Sequence, residues 1–369
     1  MKLRTRIWFK LLCFPFSCLQ FISKNMHPVS LMLTLTLSSY NTIVRLHLLD
    51  WFLRLASNLV HVLISGFELL LVLNFRLSNL SPCMISLDDD KTVMQFWVPT
   101  KLNPNKPNLT LIHGFGGSSR WQFCCQIWHL SRKLNLFVPD LLFFGNSNTG
   151  QTDRSDVFQA ICVAEGMKKL GVYKFSVAGI SYGGYVSYEL GEMYPREVDK
   201  VVIVSSGICY TEEQKMEHLK KIGRSPLELL VPEKPQDLRC LLNLCLQRFN
   251  WLTRLPDFIL QEAIKVVLKD NRKEKQEILE YLLNREADSN PGILSQETLI
   301  IWGDKDRMFP IKCVSVAKAL GTKSKASSDR GRRPRPQLRF SFCHQSFHRF
   351  IPPNLRCLFV VYLHYTCSV

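Results

Sequence analysis

The run at residues 175–178 leads directly into Gly179-Ile180-Ser181-Tyr182-Gly183-Gly184, and no other feature of the sequence constrains the fold as much. An apolar strand that turns on a serine flanked by glycines and passes at once into a helical pattern is a G-x-S-x-G elbow in strand–turn–helix context. Side chains two residues either side of the serine would collide with the neighbouring strand and helix, which accounts for Gly179 and Gly183. The turn is strained, and it exposes the serine Oγ above the sheet edge while the N–H groups opening the helix face a developing oxyanion. Ser181 is the candidate nucleophile.

Two further strand ends belong to the same chemistry. The predicted strand at 109–112 ends in His113-Gly114-Phe115-Gly116-Gly117, where small residues let the backbone bend back and offer the Phe115 N–H toward the serine. Together with the Tyr182 N–H it makes a two-donor oxyanion hole. His113 reads as a structural histidine bracing that loop rather than a general base. Downstream, the predicted strand at 298–302 ends in Gly303-Asp304-Lys305-Asp306-Arg307-Met308-Phe309-Pro310. An acid after a strand, C-terminal to the serine, fits the chain order serine, acid, histidine and makes Asp306 the candidate acid.

Around these motifs, short β-rich runs alternate with helical periodicity, the pattern of an α/β fold with a mostly parallel sheet flanked by helices. Strands are predicted at 84–87, 94–98, 109–113, 136–139, 175–178, 201–204 and 298–302, and helices at 119–130, 155–170, 182–194 and 311–320. About ninety residues between 205 and 298 show little strand character, far beyond a connecting loop, so they predict an inserted helical cap at about 211–292. Its helices are expected to open at Thr211-Glu212-Glu213 and to occupy 235–249, 257–270 and 272–286. Cys124 and Cys125 fall in the predicted helix 119–130, where neighbouring side chains point about 100° apart, and read as core-side small hydrophobes rather than a redox pair.

With 369 residues, 46% of them apolar, the chain can bury a large core. The net charge of +16 resides at the ends: residues 1–82 carry +6, residues 321–369 carry +8, and residues 83–320 only +2. A nucleic-acid partner therefore has only terminal charge behind it and is not expected. Thirteen scattered cysteines with no C-x-x-C pair predict reduced thiols and no metal site. Residues 1–82 are a hydrophobic, basic N-terminal segment whose opening has the order of a targeting sequence. Within it, residues 59–75 admit two readings, an amphipathic helix lying on the domain or a membrane contact, with Glu68 costly at mid-span. Localisation stays open between membrane-associated and cytoplasmic, with an organellar targeting segment. Residues 321–369 read as a basic, low-complexity tail, solvated over 323–339.

Taken together, the chain resembles the α/β-hydrolase fold superfamily over about residues 78–320, most closely a plant alpha/beta hydrolase family near the monoacylglycerol lipase and meta-cleavage-product hydrolase branches. The resemblance rests on His113-Gly114-Phe115-Gly116-Gly117, on Val138-Pro139-Asp140-Leu141 with Gly145 and Ser147, on residues 179–184, and on Trp302-Gly303-Asp304-Lys305-Asp306 with Pro310. It implies Ser181 as nucleophile, Asp306 as triad acid, Phe115 and Tyr182 as oxyanion donors and the insertion as a cap. The implied activity is hydrolysis of a lipid-like or small apolar carboxylic ester through an acyl-enzyme, with no metal or organic cofactor.

The departure is at the base. The family places a Gly-His pair after its last strand, which would fall near residues 331–336, and this chain has Gly331-Arg332-Arg333-Pro334-Arg335-Pro336 there. Two readings stand. In a divergent ending, 337–342 is the last strand and His348, or His344, is the base; otherwise an altered reading frame or splice form has lost the motif. The second makes the chain an impaired hydrolase or a non-catalytic binder of a small apolar ligand.

Overall fold

The computed structural model describes residues 28–88, 91–209, 212–245, 251–268, 270–285, 292–302, 306–309 and 325–328. The chain divides into two units, Met1–Leu59 and Val60–Val369. In the first, the described residues belong to helix α1 (Pro28–Leu77), which continues into the second. Side chains 36–55 are all exposed, with Asp50 and Arg54 paired at 2.9 Å along the helix.

The second unit is built on a sheet of nine strands among the described residues: β1 (Leu80–Asp88), β2 (Thr92–Pro99), β3 (Asn108–Ile112), β4 (Asn135–Pro139), β5 (Asn148–Thr149), β6 (Phe175–Ile180), β7 (Val198–Val204), β8 (Glu297–Trp302) and β9 (Lys325–Ser328). Their order is β1-β2-β4-β3-β6-β7-β8-β9, with β5 on β2. Pairing is antiparallel at the β1-β2-β4 edge and parallel from β4 through β9.

Period-two alternation sorts the strand residues onto two faces. Val177, Val201 and Ile203 point to one core, shared with Ala160, Val163 and Met167 of α4 (Asp156–Lys169) and Val186 and Leu190 of α5 (Tyr182–Met193). Leu109, Leu111, Ala178, Val202 and Val204 point to the other, shared with Phe123 of α2 (Ser119–Phe123), Ile127 and Leu130 of α3 (Ile127–Ser131), and Phe75 of α1. Helices on both faces leave the strand ends as the place for a site.

All seven predicted strands are present. The helix expected at 119–130 is two short helices instead. Residues 124–126 form a turn closed by Gln126 N–H donating to the Phe123 carbonyl at 3.0 Å, an i to i−3 bond that tightens the backbone out of α-helical register. Cys125 is consequently exposed rather than core-side.

The C-terminal region needs a second correction. Lys325–Ser328, expected to be solvated, pairs parallel with β8 in register Leu299 to Lys325 through Trp302 to Ser328. A parallel edge strand is held by backbone groups alone, and lysine is well tolerated there, so a Lys-Ala-Ser-Ser run carries no apolar signature. The helix expected at 311–320 and the strand at 337–342 lie outside the described residues.

The part of α1 within the second unit lies on the domain, one of the two readings of residues 59–75. Leu71 and Phe75 are buried, and the Phe75 ring meets Trp97 edge-on at 5.0 Å. Glu68 pairs with Arg120 at 3.0 Å and accepts from Trp121 Nε1, while Asn74 Nδ2 donates to the Cys124 carbonyl at 2.6 Å.

The insertion is helical: α6 (Glu212–Ile222), α7 (Pro226–Leu230), α8 (Pro235–Cys245), α9 (Asp257–Val267) and α10 (Arg272–Asn284). Only α7 lacks a sequence prediction. It is short, but a Ser225–Glu228 capping box defines its start. The last helix is fastened to the core. Glu277 pairs with Arg154 at 2.8 Å, Ile278 is fully buried, and Arg285 binds both Asp156 and Glu189.

Candidate active site

Ser181 occupies the turn between β6 and α5 with φ 53° and ψ −116°, a conformation that side-chain-bearing residues rarely adopt. Its surroundings explain the glycines. A Cβ on Gly179 would lie inside van der Waals contact of the Gly183 carbonyl and Ser187 Oγ, and one on Gly183 would meet the Ile112 and His113 carbonyls. The elbow therefore closes only with hydrogen at both positions. Ser181 is half-buried, and its N–H donates to the Val204 carbonyl at 2.9 Å.

The 113–117 loop passes directly against this turn. A Cβ on Gly114 would stand 3.2 Å from Ser181 Cβ and 3.2 Å from the Ile180 carbonyl. Phe115 and Tyr182 are thus neighbours of the serine, with ring centroids 6.1 Å apart. Gly116 takes φ +95° in open space, which bends the loop back over the strand end.

His113 is a brace. Its Nδ1 donates to the Gly114 carbonyl at 2.7 Å, and its Nε2 accepts from Leu141 N–H at 2.9 Å. Burial holds its pKa below the ordinary value, which favours the neutral ring that an accepting Nε2 requires. With both nitrogens engaged, it has none for Ser181. The Leu141 end of this contact belongs to a knot after β4, where Asp140 Oδ1 accepts from Ser119 N–H at 2.7 Å and Ser147 Oγ donates to the Asp140 carbonyl at 2.6 Å.

Asp306 follows β8. Its Oδ1 accepts from Met308 N–H at 2.9 Å and Phe309 N–H at 2.8 Å, and Trp302 Nε1 donates to the Phe309 carbonyl at 2.7 Å. Parallel register carries Ile180 to Val204 and Val204 to Ile301, so β6, which leads into Ser181, and β8, which precedes Asp306 in the chain, end at the same carboxyl edge of the sheet with β7 between them. Burial first and the Asp306 carboxylate second push the thiol of Cys245, at the end of α8, up to about 12.

Among the described residues, no histidine is hydrogen-bonded to Ser181, and no cluster of His, Cys, Asp or Glu could hold a metal. His344, His348 and Asp304 lie outside them. The groove lined by Lys174, Arg196, Asp199 and Glu297 is at the opposite, amino edge of the sheet and plays no part here. Sequence reading did not find the Arg285 clamp, whose partners lie 96 and 129 residues away with no motif to mark them.

Comparison with known proteins gives this geometry a context. The family model for the alpha/beta hydrolase fold matches residues 107–225. The chain is 26% identical over 226 residues to Lipase 3 of Moraxella sp. (strain TA144) and 26% identical over 225 residues to Lipase 1 of Psychrobacter immobilis. Each alignment covers 58% of this chain and 66% of the lipase, just under two thirds of its length. Among solved structures, a membrane phospholipase A described as a bacterial virulence factor superposes with a TM-score of 0.60 at 22% identity, over 82% of this chain and 90% of that one. The 2-hydroxy-6-oxo-6-phenylhexa-2,4-dienoate hydrolase of Rhodococcus sp. strain RHA1 gives 0.52 at 18%, over 68% and 90%. These structural likenesses establish the fold.

Proposed function

From a chain of the alpha/beta hydrolase superfamily with a serine at its strained turn, we propose a serine hydrolase that cleaves a lipid-like or small apolar carboxylic ester through an acyl-enzyme. Ser181 Oγ attacks the carbonyl, the Phe115 and Tyr182 N–H groups receive the oxyanion, and Asp306 orients the histidine that takes the serine proton. The observation that carries this reading is the backbone of Ser181: φ 53° costs roughly 1–3 kcal/mol, and no side-chain cap bond at that position offsets it. The likeness to two lipases supports an ester substrate.

A second reading, a non-catalytic binder of a small apolar ligand, has its own support. β9 ends at Ser328, and three residues further on the sequence reads Gly331-Arg332, near where the superfamily places its Gly-His pair. Arginine cannot accept the serine proton. Fluorophosphonate labelling of the full chain, with Ser181→Ala as control, separates the two. Labelling lost in the variant supports an activated serine, and an unlabelled wild type leaves the binding reading.

The membrane contact is part of the same proposal. Val62, Leu63, Leu69, Leu70 and Leu73 are exposed on α1, and Thr36–Leu77 is long and apolar enough by length and composition to cross a bilayer. Co-flotation of the chain with phosphatidylcholine vesicles tests it, and failure to float would remove lipid contact from the reading.

A further inference from the structure

Cys124 and Cys125 occupy the turn between α2 and α3, with their Sγ atoms 3.8 Å apart. Cys125 is exposed and Cys124 half-buried, its thiol also 3.6 Å from the Trp121 carbonyl. In a straight helix neighbouring side chains diverge; the tightened turn brings these two together on the solvent side of the sheet's covering helices.

We propose that Cys124 and Cys125 form a dithiol site that exchanges with small-molecule disulfides such as glutathione disulfide and closes to a reversible vicinal disulfide. The Cys125 thiolate attacks one sulfur of the incoming disulfide, forming a mixed disulfide and releasing one thiolate. Cys124 then gives up its proton and attacks Cys125 Sγ, the protein disulfide forms as the second small thiolate leaves, and the protons lost by the two cysteines end on the two released thiols. Two electrons pass from the protein to the incoming disulfide, so the balance is complete.

The order of attack follows from the environments. Hydrogen bonding from Cys124 lowers the Cys125 thiol to about 7, while the same contact and burial push Cys124 upward. Cys125 is thus the exposed thiolate and Cys124 the resolving partner. Closure draws the sulfurs from 3.8 Å to a bond of about 2.05 Å. Consecutive Cα atoms are only about 3.8 Å apart, below the usual disulfide range of about 4.4–6.8 Å, so the bond is strained and easily reduced, suited to reversible modification rather than to stapling the fold.

The test uses the full chain treated with glutathione disulfide, acid-quenched and cut with trypsin. The peptide 121–132 contains these two cysteines and no other. In the wild type it should lose two hydrogens and retain no glutathione, and excess reduced glutathione should reverse the change. In Cys124→Ser it should keep one glutathionyl group on Cys125. Limited iodoacetamide labelling of untreated protein gives a measurement free of any folding defect in the variant: Cys125 should be alkylated first, at a rate that rises as pH passes through about 7. A wild-type peptide that stays reduced, or that keeps a stable glutathionyl group as the variant does, would overturn the proposal, as would alkylation of Cys124 first.

Discussion

At the carboxyl end of β6, Ser181 is positioned by contact: the backbone closes around Gly179 and Gly183, where a side chain would meet backbone, and packs tightly against Gly114. Two strands away, after β8, Asp306 is positioned by hydrogen bonds to its own loop, which fix the carboxylate without enclosing it. The nucleophile half is local, written in ten residues of loop and elbow. In the proposed mechanism the acid–base half needs a histidine from the sequence after β9, where the resemblance would place a Gly-His pair and this chain has Gly331-Arg332. One half of such a site can therefore survive in full while the other is lost, because each is stabilised by different contacts.

The most powerful way to break this contrast is to supply the missing group. Wild-type turnover of a p-nitrophenyl ester is expected to be weak or absent, and Arg332→His should raise it by about 10²–10⁴-fold, the range of a positioned general base. In that background Asp306→Asn should remove most of the gain and Asp304→Asn should not. Should wild-type turnover instead be robust and be abolished by His348→Ala or His344→Ala, the base belongs to a divergent ending and the halves are equally intact.

A smaller effect sharpens the steric half. Gly179→Ala drives a Cβ into the Gly183 carbonyl, and backbone must move to relieve it, so destabilisation of about 3 kcal/mol is expected by urea unfolding. At Gly116 the space is open and only the positive φ opposes a side chain. Gly116→Ala should cost about 1 kcal/mol, and equal losses at the two positions would mean that contact does not hold the elbow.

Most of the sheet was legible because its strands are short apolar runs ending in glycine or charge, and β6 with its elbow left a single local solution. The broken helix at 124–126 was not, since nothing in Phe-Cys-Cys-Gln signals an i to i−3 turn. β9 was hidden for the reason that makes edge strands hard to read: its pairing is backbone to backbone, and Lys-Ala-Ser-Ser shows no alternation. In the site, the 113–117 loop lies against the Ser181 turn, and the Phe115 and Tyr182 rings meet. The Arg285 clamp could not be foreseen, because a charge pairs across 129 residues only after the fold exists.

That clamp divides the insertion by dynamics. Arg285, Ile278 and Glu277 bind α10 to α4, α5 and the Arg154 loop, whereas α6 leaves Met216 and most of its other described side chains in solvent. Local opening of α6 exposes little apolar surface, and opening α10 strips a carboxylate pair of its counter-charge. In native-state hydrogen exchange, amides of 213–222 should exchange early through local fluctuations, while those of 278–282 should exchange with β6 at the free energy of global unfolding. The insertion would then comprise two cooperative units, with the boundary set by one arginine.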